Sequence, residues 1–117
     1  MTIEQYVDFC LSLPGVEESF PFDDKTLVFK VGGKMFALTN IDSFDFINLK
    51  CNPDKALELR AQYPEDILPG YHMNKKHWNS VSTNGNINDE MLHSLIRHSY
   101  QLVYDKLPKR VKQTIAK

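Results

Sequence analysis

Apolar residues recur at helical spacing in three stretches of the chain, and shorter runs with strand-like patterning lie between them. The first stretch is Ile3, Tyr6, Val7, Phe9, Cys10 and Leu13, with steps of three and four that fall on one helical face. Thr2 stands at the N-cap position with Gln5 three residues on, the pattern of a capping box. Leu13-Pro14-Gly15 then stops the helix, which is predicted over residues 3–12 with Cys10 on its apolar side. A second helix starts at Asn52-Pro53, where proline loses no hydrogen bond, runs through Ala56, Leu57, Leu59 and Arg60, and ends at Pro64. The third has the cleanest stripe, Met91, Leu92, Leu95, Ile96, Ser99, Leu102 and Val103. Asn88 caps it, Ile87 and Leu92 staple its start, and Pro108 follows its end, giving a helix over residues 89–106.

Between the helices the period changes to two. Thr26–Val31 and Met35–Asn40 flank Gly32-Gly33, which supplies the positive φ a tight hairpin turn needs. The implied register pairs Phe29 with Phe36 and Leu27 with Leu38 on the core face. Val28 with Ala37 and Lys30 with Met35 fall on the other. Ile41–Phe44 forms the next turn. A third strand, residues 45–50, has Ile47 and Leu49 inward and Phe46, Asn48 and Lys50 outward. Leu68 to Val81 reads as a second hairpin, turning at Asn74-Lys75. That register pairs Met73 with Lys76, His72 with His77 and Tyr71 with Trp78; a three-residue turn would break it. Residues 16–25 read as an acidic loop, with Phe20-Pro21-Phe22 as a short edge segment over the core. Residues 109–117 read as a basic tail of one or two helical turns. The order α-β-β-β-α-β-β-α, with short links, predicts a two-layer α+β domain whose antiparallel sheet is backed by helices.

At 117 residues the chain is expected to be one domain, residues 1–117. No run approaches the ~18–20 apolar residues of a membrane span, and the first residues do not resemble a signal peptide, so the expected compartment is the cytosol. Cys10 and Cys51 lack metal-type spacing and are expected to be reduced and structural. The net charge of −1 hides an asymmetry: residues 1–66 hold 12 acids and 6 bases, residues 67–117 hold 3 acids and 8 bases. The expected surface has a positive side, which either faces a partner or is simply solvated.

The candidate chemistry is sparse. His72 and His77 could face each other across the second hairpin, but zinc needs further ligands and none lies nearby in sequence. His93 and His98, five apart, read as surface residues. Cys51 at a helix entrance would have a lowered thiol pKa, yet no histidine base is placed beside it. No cofactor is expected, and no catalysis. Basic side chains are concentrated at the hairpin tips: Lys75 and Lys76 with Asn74 and His77 at one, Lys34 with Lys30 nearby at the other, and Lys50 on the same face as Lys30. Such tips could straddle a phosphate backbone, with Asn74 and Asn79 reaching base edges. Lysines at tips also serve solubility and blunt sheet edges. Tyr71 and Trp78 read as packing residues rather than base-stacking platforms.

Several segments resemble the MmcQ/YjbR family of small bacterial proteins. They are Leu13-Pro14-Gly15-Val16-Glu17, Gly32-Gly33-Lys34-Met35-Phe36-Ala37-Leu38, Leu49-Lys50, Leu68-Pro69-Gly70-Tyr71 with Lys76-His77-Trp78, and Ser99-Tyr100-Gln101-Leu102-Val103 closing on Lys106-Leu107-Pro108-Lys109. The resemblance implies an α+β fold similar to secretion-chaperone-like domains, and a suggested DNA-binding role through two β-hairpin wings. Here the wings would be the Gly32-Gly33 and Asn74-Lys75 hairpins. The leading expectation is therefore a non-enzymatic protein whose partner is double-stranded DNA, with Lys75 and Lys76 as phosphate contacts. The first alternative is a protein-binding module using an exposed apolar patch of Phe46, Phe44 and Phe20. The second is a metal or enzyme site on His72 and His77.

Overall fold

The computed structural model describes residues 1–115. The elements run α1 (Ile3–Ser12), β1 (Val16–Ser19), β2 (Thr26–Val31), β3 (Lys34–Asn40), β4 (Phe46–Lys50), α2 (Pro53–Gln62), β5 (Ile67–Pro69), β6 (Trp78–Ser82), α3 (Asp89–Asp105) and α4 (Lys109–Lys112). The six strands form one antiparallel sheet in the order β1-β2-β3-β4-β6-β5. The class is α+β, as expected. The three long helices pack on one face, where Tyr6, Cys10, Ala56, Leu59, Leu92 and Ile96 meet Leu27, Phe29, Ile47, Leu49 and Val81. A small cluster of Val28, Leu38 and Trp78, flanked by Met35 and Met73, occupies the other, open face. No helix among the described residues is long and apolar enough to cross a membrane.

The helix starts follow local chemistry. Thr2 and Gln5 form both halves of the capping box, Asn52 accepts from Asp54 and Lys55 ahead of Pro53, and Asn88 accepts from Met91. Pro108 interrupts the C-terminal segment and α4 follows for a single turn; Ala116 and Lys117 of the predicted tail lie outside the described residues.

The first hairpin departs from its predicted register. Lys30 pairs with Met35 as expected, but Phe29 pairs with Ala37, Val28 with Leu38 and Leu27 with Thr39. Phe36 is an extra residue in β3, a bulge that inverts the facing of everything after it. Leu38 thereby moves to the open face, while Ala37 joins the core. The Phe36 ring packs edge-on against Tyr100 at 5.4 Å. The Phe36 carbonyl accepts a hydrogen bond from the Ser99 hydroxyl, and Ser99 Oγ in turn accepts from the Lys50 N–H at 2.8 Å. Ser99 is wholly buried, so α3 stitches the bulge to the end of β4 through one side chain.

Other expectations change for reasons that are also tertiary. Residues 16–19 are an edge strand, not a loop: Val16 pairs with Val31 and Glu17 with Lys30. Its side chains are largely exposed, so no alternation marked it. Phe20 and Phe22 do not cover the core; both are exposed and lie outside any strand. Phe44 is withdrawn from the supposed apolar patch, because it packs against Tyr6 at 5.6 Å. His93 and His98 are more than surface residues. His93 stacks on Phe9 at 4.0 Å, and His98 Nε2 accepts from the Asn52 N–H at 3.2 Å. Both cysteines are buried free thiols. Burial pushes the Cys51 thiol up, against the expectation from its position at a helix start, and outweighs the opposing charges of Lys55 and Arg60.

Two stability predictions follow from these contacts. Ser99→Ala leaves the Phe36 carbonyl and the Lys50 N–H without their partner, and should cost about 2–4 kcal/mol in urea unfolding. Burial, and then the nearby Lys55 charge, lower the pKa of His98 from its ordinary value of 6.5. The unfolded chain therefore takes up this proton first as pH falls, and stability should decline below about pH 6.5 until the folded pKa is reached. Urea midpoints for His98→Gln should lack that part of the decline.

Candidate nucleic-acid interface

An antiparallel ladder alternates strand direction, so the Gly32-Gly33 turn, the end of β4, the start of β6 and the end of β5 all lie along one edge of the sheet. We call it the upper edge. The β2–β3 turn and the β5–β6 connection are separated there by three strand spacings, about 14 Å at ~4.8 Å each. The end of α3 reaches the same edge. Gly32 has φ +57, and a Cβ on it would lie 2.6 Å from Leu107 Cδ1, so both conformation and packing call for glycine.

Lys34, Lys50 and Lys106 line one cleft of about 390 Å³ on this edge. Met35, Trp78, Val103 and Leu107 contribute apolar walls, and among the described residues no acidic side chain lines it. Desolvation first, and the Lys106 charge second, lower the pKa of Lys50. Among the described residues, the two ion pairs are Met1–Asp89 and Lys25–Asp42, so neither involves these lysines. Lys34 and Lys50 were visible as candidates in the sequence. Lys106 was not, because nothing local announces that the end of α3 docks beneath the Gly32 turn. Lys30 stands apart from the cleft, on the open face, with Glu17 as its cross-strand partner.

The second ribbon is not a two-residue hairpin. Its ladder runs Ile67–Val81, Leu68–Ser80 and Pro69–Asn79, closed by the Gly70 N–H to the Trp78 carbonyl at 2.8 Å. Residues 70–77 then form two successive turns, one from Gly70 to Met73 and one from Asn74 to His77. The predicted pairings of Met73 with Lys76, His72 with His77 and Tyr71 with Trp78 are absent; Trp78 instead lies opposite Lys50. His72 has φ +58 and its ring sits 3.9 Å from that of Tyr71. The two imidazoles belong to different turns, and no cluster of three or more His, Cys, Asp or Glu suited to a metal occurs among the described residues.

Several polar residues of this loop have structural tasks. Asn74 Oδ1 accepts from the Lys76 N–H at 3.0 Å, so Asn74 forms the turn. The His77 carbonyl accepts from the Cys51 N–H, and the half-buried His77 thus ties the loop to β4's end. Lys75 Nζ donates to the Gly70 carbonyl at 3.3 Å, whereas Lys76 is exposed and its amine makes no hydrogen bond or ion pair among the described residues. Asn79 is withdrawn as a base contact: it is 2% exposed, and its Oδ1 accepts from Arg60 Nε at 2.7 Å. Arg60 Nη2 also donates to the carbonyls of Trp78 and Lys75. Sequence alone made Arg60 a helix residue, since its partners lie 15 to 19 positions away.

A family model described as YjbR matches residues 11–102. The chain is 48% identical over 101 residues to "Uncharacterized protein YbdF" of Escherichia coli O157:H7, covering 86% of this chain and 82% of that protein. It is 32% identical over 116 residues to "Uncharacterized protein YjbR" of Escherichia coli K12, covering 98% of each. The crystal structure of a DUF419-domain protein from Deinococcus radiodurans superposes with a TM-score of 0.91 at 43% identity, over 97% of this chain and 86% of that one. A Pseudomonas syringae protein superposes with a TM-score of 0.72 at 30% identity, over 88% of this chain and 99% of that one. The matched span runs from the end of α1, across both ribbons, to the Ser99-Tyr100 pair that anchors the sheet, and the chain belongs to the YjbR/MmcQ family.

Proposed function

We propose that this protein binds double-stranded DNA along the upper edge of its sheet, contacting phosphates and carrying out no chemical step. The observation that supports this most is the convergence of Lys34, Lys50 and Lys106 on a cleft that has no acidic lining among the described residues. The second ribbon adds Lys75 and Lys76 on the same edge. The separation of about 14 Å between ribbons is close to the ~12 Å width of a major groove, so each could meet a different strand. Recognition rests on phosphates, because Asn74 is engaged in its turn and Asn79 is buried. With a net charge of −1, the protein has a basic edge rather than a basic surface, and binding should be strongly salt-dependent.

The test is a duplex titration, read by fluorescence anisotropy, at several salt concentrations. Each phosphate neutralised contributes about −0.9 to the slope of log affinity against log salt. Lys75→Ala/Lys76→Ala and Lys34→Ala/Lys50→Ala should each bind more weakly, with slopes shallower by about two. Wild-type affinity in both double variants would remove this edge from the interface, and no binding by the wild type would remove the function.

A further inference from the structure

The open face of the sheet carries a row of cross-strand neighbours, Val28, Leu38, Asn48, Ser80 and Leu68. A polar pair thus sits within an apolar floor. Above it lies a groove of about 690 Å³, whose lining includes four of these five residues, all but Val28. Three loops supply its walls: Phe22 from the segment after β1, Ser43 and Asp45 from the β3–β4 turn, and Tyr71, His72 and Met73 from the β5–β6 loop. Phe46 lines it from β4.

Three independent features point to a ligand. The volume falls within the ~300–1,000 Å³ range of small-molecule sites. The aromatic walls are left in solvent, with Phe22 64% and Tyr71 71% exposed. Phe44 and His72, the two non-glycine residues with positive φ among the described residues, belong to two of the three loops that frame the groove. Such backbone strain collects at binding sites.

The floor specifies the chemistry. The Tyr71 N–H donates to Ser80 Oγ at 3.0 Å, and the Ser80 hydroxyl donates to Asn48 Oδ1. Both acceptors are thereby engaged, whereas the Asn48 amide nitrogen has no partner among the described residues. Among the described residues no lysine or arginine lines the groove and Asp45 is its one carboxylate, so the lining offers an anion no permanent counter-charge. We infer that this groove binds a neutral, planar aromatic molecule bearing a hydrogen-bond acceptor. Its ring system lies among Phe22, Phe46 and Tyr71, and its acceptor meets the Asn48 amide N–H.

A direct probe is 6-propionyl-2-(dimethylamino)naphthalene, a neutral planar fluorophore with one ketone acceptor. It should bind saturably at one site per chain with blue-shifted emission. Phe22→Ala/Tyr71→Ala removes two exposed rings and should weaken binding about tenfold with an unchanged thermal melt. Asn48→Leu should weaken this probe about tenfold but leave N-phenyl-1-naphthylamine, which has no carbonyl, unaffected. Lys34→Ala/Lys50→Ala should bind the probe as the wild type does, which separates this site from the DNA-binding edge. Absence of saturable binding, or full affinity in Phe22→Ala/Tyr71→Ala, would overturn the site. Equal weakening of both probes by Asn48→Leu would overturn the acceptor contact. Probe affinity that falls as protein concentration rises would show that a second copy of the chain covers the groove, and would overturn the small-molecule assignment.

Discussion

The arrangement of the sheet depends on one buried hydroxyl. Ser99 donates to the Phe36 carbonyl and accepts from the Lys50 N–H, a pair of opposite demands that a hydroxyl meets with a single oxygen. The bulge at Phe36 breaks the regular ladder between β2 and β3. Without Ser99 the Phe36 carbonyl and the Lys50 N–H would each lose a partner, a sizeable penalty inside the core. With Ser99 in place the bulge is tolerated, and it sends Leu38 to the open face and Ala37 inward. The same bond holds the end of β4, and so the base of Lys50, against α3. Both the basic cleft and the open-face floor thus trace back to one contact between helix and sheet.

What could be read from the sequence was what neighbours in the chain decide. Thr2 with Gln5, Asn52 with Pro53, and Asn88 with Ile87 and Leu92 marked the helices correctly because a cap and its partner lie within a few residues. Gly32-Gly33 located the first turn for the same reason. The bulge depends on a serine 63 positions away, and β1 is a strand because Val16 and Glu17 find β2, not because their own pattern alternates. The 70–77 loop looked like a tight hairpin since Asn74-Lys75 is a sound turn on its own. Arg60 and the Gly70-to-Met73 turn instead hold a longer excursion. At the candidate interface, Lys34, Lys50, Lys75 and Lys76 were legible as residues at strand ends. Lys106 joined them only once the helix end had docked.

The segments that carried the family resemblance are largely structural fastenings. Ser99 stitches β3 to β4, and its neighbour Tyr100 donates from its hydroxyl to the Pro14 carbonyl at 2.6 Å, fixing the Leu13-Pro14-Gly15 turn. Trp78 packs with Val28 and Leu38 on the open face, and a Cβ on Gly70 would lie 2.7 Å from the Trp78 Cβ. A sequence signature made of such parts reports a shared frame, which is why it specifies the fold more closely than the activity.

The two margins of the sheet end differently. At one, β5 has three residues and finishes in Pro69, which offers no N–H. At the other, β1 presents the exposed, charged side chains of Glu17 and Glu18. A short proline-ended strand and a charged one both discourage a further chain from extending the ladder. Growth of the sheet from molecule to molecule is thus disfavoured on either flank, and associations are steered toward the strand tips and the uncovered surface between them.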